Sequence, residues 1–170
     1  MILSYKQKFP WGAPTYFREQ IQNGINKNSQ FIIKTKDKPD VVIDNEKIHS
    51  IRDDVHNRWK PGMIIQHAYG VRTKQYNCFA TGQCISTQIL ELKAIDWRDA
   101  VQNPREIKAI ESMSDKEPKV FQLFVDGRRL NGAEIHDIAR NDGFDSTEDF
   151  FRWFDKPCIK KIIHFTDFKY

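Results

Sequence analysis

No run of apolar residues in the chain approaches the roughly 20 needed for a membrane-crossing helix. The apolar stretch in residues 1–12 is also too short for a signal peptide, so a cytoplasmic protein without membrane contact is expected. Cysteine is scarce. Cys78, Cys84 and Cys158 are an odd three among 170 residues, which argues against a disulfide framework and for free thiols. The histidines, His49, His56, His67, His136 and His164, and the cysteines show none of the usual metal-ligand spacings, and a zinc-deaminase motif is absent. No metal and no cofactor are therefore expected. No repeat or low-complexity segment interrupts the chain either, and its length fits one domain over residues 1–170.

What is present is an ordinary globular composition, 39% hydrophobic and 29% charged, with a formal charge of +4. A mildly basic chain suits an anionic partner such as RNA or a nucleotide, although many enzymes share that balance. In order, residues 1–5 read as a strand, broken by the run Pro10-Trp11-Gly12-Ala13-Pro14. Thr15 reads as the N-cap of a helix over residues 16–23 that Gly24 ends. Residues 31–34 and 41–43 read as short strands around a turn at 36–40. Alternation predicts strands at 47–52, 63–69, 84–95 and 120–125, with a polar turn region at 75–82 and a charged surface connection with a helical turn at 96–117. Ile135, Ile138 and Ala139 share one face of a helix over 132–140, closed by Asn141-Asp142-Gly143. Asp145 and Glu148 read as a capping pair for a helix whose stripe Phe150, Phe151, Trp153 and Phe154 belongs to the core. Pro157 stops it, and residues 159–166 form a closing strand. Short strands with two or three small helices predict an α+β domain built on a small, curved sheet or barrel.

The densest chemistry lies in residues 46–70. A strand carrying Lys47, His49, Ser50 and Arg52 leads into a loop with Asp53, Asp54, His56, Arg58, Trp59 and Lys60. Acyl transfer needs a nucleophile, a base for its proton and donors for the oxyanion. Ser50 can attack if Lys47 is desolvated enough to accept a proton, Asp142 can orient the lysine or pass a proton to the leaving amine, and Arg52 or a backbone N–H can hold the oxyanion. On a regular strand Lys47 and Ser50 point to opposite faces, so they converge only if Lys47 precedes the strand or a bulge intervenes. Plainer readings stand beside this one. Lys47 and Arg52 suit phosphate contact or a solvated surface, Asp142 suits a helix-end turn, and Trp59 suits either packing or stacking on a base.

The run Lys47-Ile48-His49-Ser50-Ile51-Arg52-Asp53, followed by Trp59-Lys60-Pro61-Gly62 and an alternating strand, resembles the signature of the ASCH domains, a branch of the PUA-like barrel superfamily. Ile21-Gln22-Asn23-Gly24 is similar to the helix end that precedes that signature. The stretch from Ala139 to Phe144 with the Phe150-Phe151 helix is similar to the family's acidic turn and following helix, and Ile162-Ile163-His164-Phe165 to its final strand. The resemblance implies a PUA-like barrel and a partner that is RNA or a modified nucleoside. Some small ASCH proteins are amidohydrolases that deacetylate N(4)-acetylcytidine with a Lys, a Thr and a Glu. By position these correspond to Lys47, Ser50 and Asp142, two of them changed but each of the same chemical type. Residues 25–46 have no counterpart in those enzymes and read as an insertion.

Three functions are thus expected in order. The first is amide hydrolysis on an acylated cytidine by Lys47, Ser50 and Asp142, with His49, Arg52, Asp53, Arg58 and Trp59 binding substrate. The second is a non-catalytic RNA-binding module, and the third an RNA-cleaving activity using His49 or His56.

Overall fold

The computed structural model describes residues 1–27, 34–35, 45–100 and 120–170. The expected strand over residues 31–34 lies outside them except for Lys34, as do the strand over 41–43 and the connection after residue 100. Alternation decides the long strands. In β6 (Ser86–Ile95), Ser86, Gln88, Leu90 and Leu92 are buried while the residues between them face outward. It pairs antiparallel with β7 (Val120–Val125) and β9 (Cys158–His164). With β3 (His49–Arg52) and the short β8 (Arg128–Arg129) they form a five-stranded sheet in the order β3-β9-β6-β7-β8.

A second sheet contains β1 (Ile2–Ser4), β4 (Ile64–Tyr69) and β5 (Asn77–Gln83), edged by the two-residue β2 (Lys34–Thr35). Its β1 runs parallel to β4, the other pairs antiparallel. The polar turn expected at residues 75–82 is instead mostly β5. Phe79 and Ala80 are buried there, and a register shift between His67 and Ala68 disturbs the period that would have betrayed the strand. The two sheets meet at a corner where Cys84 donates from its amide to the Met63 carbonyl and Ile85 donates to that of His164. The described residues are therefore mixed α and β, with two sheets.

Four helices lie among the described residues. The first, α1 (Phe17–Lys27), runs straight through Gly24. It does not use Thr15 as its cap. The Thr15 hydroxyl donates to the Lys6 carbonyl, and the first helical bond goes from the Gln20 amide to Tyr16, which holds φ +50°. Next comes the single turn α2 (Trp97–Ala100). In α3 (Gly132–Asn141), Asn131 and Glu134 form a reciprocal capping box. Its far end is a Schellman turn, in which Phe144 donates to Ala139 and Gly143, at φ +87°, donates to Arg140. The last, α4 (Thr147–Trp153), is capped by Ser146 rather than Asp145, its hydroxyl accepting from the Asp149 amide. Phe150 and Phe154 of the expected stripe are core, whereas Phe151 and Trp153 are half-buried. No described helix is long and apolar enough to cross a membrane, and all three cysteines are free thiols.

Candidate active site

Two backbone contacts fix Lys47 before its side chain is considered. Its amide donates to the Gln20 carbonyl of α1 at 3.1 Å, and the next amide, Ile48, donates to Asn141 at the end of α3 at 3.0 Å. The regular strand starts only at His49, so Lys47 precedes it and its side chain escapes the alternation that would oppose it to Ser50. That side chain reaches the Schellman turn. Its ammonium donates to both the carboxylate and the main-chain carbonyl of Asp142, while lying 4.6 Å from the centre of the Phe17 ring. The same carboxylate oxygen accepts from the Ile51 amide at 3.3 Å. Lys47 is 1% exposed and Asp142 4%.

Burial is what tunes this pair. Loss of water lowers the Lys47 pKa to about 8, against the opposing charge and hydrogen bond of Asp142, with Arg52 lowering it further. Burial likewise raises the Asp142 carboxyl above its ordinary value, the Lys47 charge acting against that rise. Both shifts favour the neutral forms, so proton transfer between the two partners is easier here than in water.

Ser50 lies on the next stretch of backbone. Its hydroxyl is shut away from solvent without a hydrogen-bond partner of good geometry among the described residues, yet it is near enough to the Tyr5 hydroxyl to act on its ionisation. Tyr5 closes the group. Burial raises its pKa strongly, its hydroxyl pairs with His67 Nδ1 at 2.9 Å, and the Arg52 guanidinium lies 5.1 Å from its ring centre while bonding the Ser4 carbonyl at 3.0 Å. His67 is held neutral, its pKa pushed down to about 3 by burial and by the charges of Lys47 and Arg52.

A cavity of about 270 Å³ adjoins this group, lined among others by Tyr5, Tyr16, Phe17, Arg18, Tyr69 and Phe79. Its size is just below the roughly 300–1,000 Å³ of drug-sized sites, room for one planar ring. Lys47, Ser50 and Asp142 do not line it. Tyr5 and Phe17 do, and they are also the aromatic neighbours of Ser50 and Lys47.

The expected binding residues scatter. His49 is fully buried on the side away from Tyr5, with its ring 5.5 Å from that of His164 and Nδ1 3.4 Å from the Tyr170 hydroxyl. Burial first, then His164 and Lys47, hold it well below its usual pKa. Asp53 is exposed and pairs with Lys160 at 2.7 Å. Arg58 is exposed in a loop organised by Asp54, whose carboxylate accepts from the amides of Arg58 and Trp59 and from Lys161. Burial would raise the Asp54 carboxyl, but those bonds hold it near 2. Trp59 is 4% exposed and packs in the core. None of these four lines the cavity, whereas Arg52 joins the site through Tyr5. His56 is exposed in the loop, whereas His49 is buried.

Tyr5 and His67 were not singled out as site residues from sequence. The one signal was parity, since His67 follows Ile65 at an inward position of an alternating strand. Among the described residues no group of three or more His, Cys, Asp or Glu is placed to hold a metal ion. No family model, no curated protein and no solved structure matches the chain.

Proposed function

We propose that the protein is an ASCH-type, PUA-like domain that binds RNA or a modified nucleoside and hydrolyses an amide on the exocyclic amine of cytidine. One observation carries this reading. Lys47 and Asp142, 95 residues apart, meet in a desolvated pair on the same segment as Ser50, whose buried hydroxyl neighbours Tyr5, a wall of an aromatic cavity with room for a base. In the reaction, Ser50 Oγ attacks the acyl carbon as its proton passes to neutral Lys47 Nζ. The C–N bond then breaks, the leaving amine taking a proton from the Lys47–Asp142 pair, and water hydrolyses the acyl-serine. Arg52 is the cation available to the oxyanion. The Tyr5 ring turns aside for the acyl group to reach Ser50.

The test is release of cytidine from N(4)-acetylcytidine, with Lys47→Ala alongside. We expect turnover in the parent only, with a rate that climbs with pH and levels off above about 8, where most of Lys47 has lost its proton. Turnover that persists in Lys47→Ala removes this mechanism. A second reading, a non-catalytic RNA-binding module, is favoured by the exposures of 1%, 1% and 4% at Lys47, Ser50 and Asp142. It becomes the better account if the folded parent leaves the substrate intact.

A further inference from the structure

Beside the cavity, but outside the Lys47 group, runs a strip in which cations lie over aromatic faces. Lys6, on the cavity rim, has its ammonium 5.4 Å from the Trp153 ring centre. Trp153 meets Phe9 edge-on at 5.8 Å, Phe9 stacks on Trp11 at 4.6 Å and an interplanar angle of 2°, and the Arg152 guanidinium lies 4.4 Å from the Trp11 ring centre. Lys6 and Arg152 are exposed, and the two tryptophans are half-buried. Residues 6–18 carry Lys6, Lys8 and Arg18 and no acidic residue, and with Glu19 also on the cavity wall the balance along this edge remains basic. On the far side Glu148 and Asp155 share a shallow cleft with Arg152, which bounds the positive strip and leaves the cavity as its continuation.

We propose that this strip binds a single strand of RNA whose neighbouring base enters the cavity. The chemistry is complementary at both levels. Indole faces accept unpaired bases of any identity, and the cations now resting on those faces are free to swing to the phosphates once a base takes their place. A duplex keeps its bases stacked on one another and offers the indoles nothing. An acidic peptide would satisfy the cations but not the rings. The inference rests on the nucleic-acid half of the function proposed above and is independent of its hydrolytic half.

The experiment is fluorescence anisotropy with a labelled ten-nucleotide single-stranded RNA of mixed sequence, free of acylated bases. Contacts from Lys6, Lys8 and Arg152 predict a slope of log affinity on log salt of about −2, or roughly a 20-fold loss between 50 and 200 mM salt. Arg152→Gln, at an exposed position, lowers the magnitude of that slope by about 0.7. Trp11→Ala weakens binding about tenfold or more at constant salt. Its fold is checked by thermal melting, and Trp11→Phe, which keeps a stacking face, retains most of the affinity. Equal affinity for the same sequence as a duplex, equal competition by polyglutamate, or binding indifferent to both Arg152→Gln and Trp11→Ala overturns the proposal. Loss of hydrolysis with strip-dependent binding intact counts against the enzyme alone, and hydrolysis of the free nucleoside without strip-dependent binding counts against the strip alone.

Discussion

At the residue scale, the Lys47–Asp142 pair is costly to hold and poor as a fastener. Breaking a buried pair by removing one partner leaves the other charge without compensation, at about 3–5 kcal/mol. We therefore expect Lys47→Met to lower unfolding free energy by about that much. The double variant Lys47→Met with Asp142→Leu recovers most of it, short of the roughly 1–3 kcal/mol for the Ile51 amide then left without an acceptor. Chemical denaturation of the three proteins measures this, and a double variant no more stable than the single would show that the pair is a structural clasp. Lys47, Ser50 and Asp142 were singled out in the sequence by residue type, and the structure brings Lys47 to Asp142. Tyr5 was not. Its partner His67 lies 62 residues away, and no local pattern announces a contact that the pairing of β1 with β4 creates.

At the element scale, Gly24 shows how a correct signal was misassigned. Read locally, a glycine after Ile21-Gln22-Asn23 stops a helix, whereas α1 continues to Lys27 and the missing side chain serves a neighbour. A Cβ there would sit 2.8 Å from the Lys47 carbonyl oxygen and 3.3 Å from Ile48 Cγ2. Alanine normally stabilises a helix by about 1 kcal/mol over glycine. Here Gly24→Ala is expected to destabilise by about 1–3 kcal/mol, because the helix must back away from the segment it positions. Thermal unfolding checks the sign, and a raised melting temperature would mean that α1 does not press on Lys47. Four strands of the five-stranded sheet, β3, β6, β7 and β9, were expected from the sequence, whereas the two-residue β8 was not. The strand β5 was not, since a register shift and small or polar residues such as Thr81 and Gly82 mask its period.

At the scale of the whole molecule, three buried histidines set the response to acid. Burial pushes His67 down to about 3 and His164 to about 4, and His49 well below its usual value, while the same residues titrate near 6.5 in the unfolded chain. Between those limits the unfolded chain binds more protons. Stability is thus complete above about pH 6.5 and falls as the pH drops toward 4, by up to ~1.4 kcal/mol per unit for each fully neutral imidazole. The raised carboxyl of Asp142 works in the opposite direction, one group against three. Urea midpoints at pH 7.5, 5.5 and 4.5 should decline in that order, and a flat series would show that these rings are not closed off. Mixed α and β architecture was readable from strand spacing, but the corner joining the two sheets was not, because it depends on main-chain bonds from Cys84 and Ile85 to distant carbonyls.

The separation of 95 residues between Lys47 and Asp142 also has a meaning in time. A chain growing at about 5–20 residues per second presents the lysine roughly 5–20 s before the carboxylate exists. During that interval the lysine has no acid to accompany it out of water, so the segment that carries it stays solvated on the ribosome. The Lys47–Asp142 pair is therefore assembled only after α3 has emerged, and a nascent chain released before that point carries Lys47 and Ser50 without their acid.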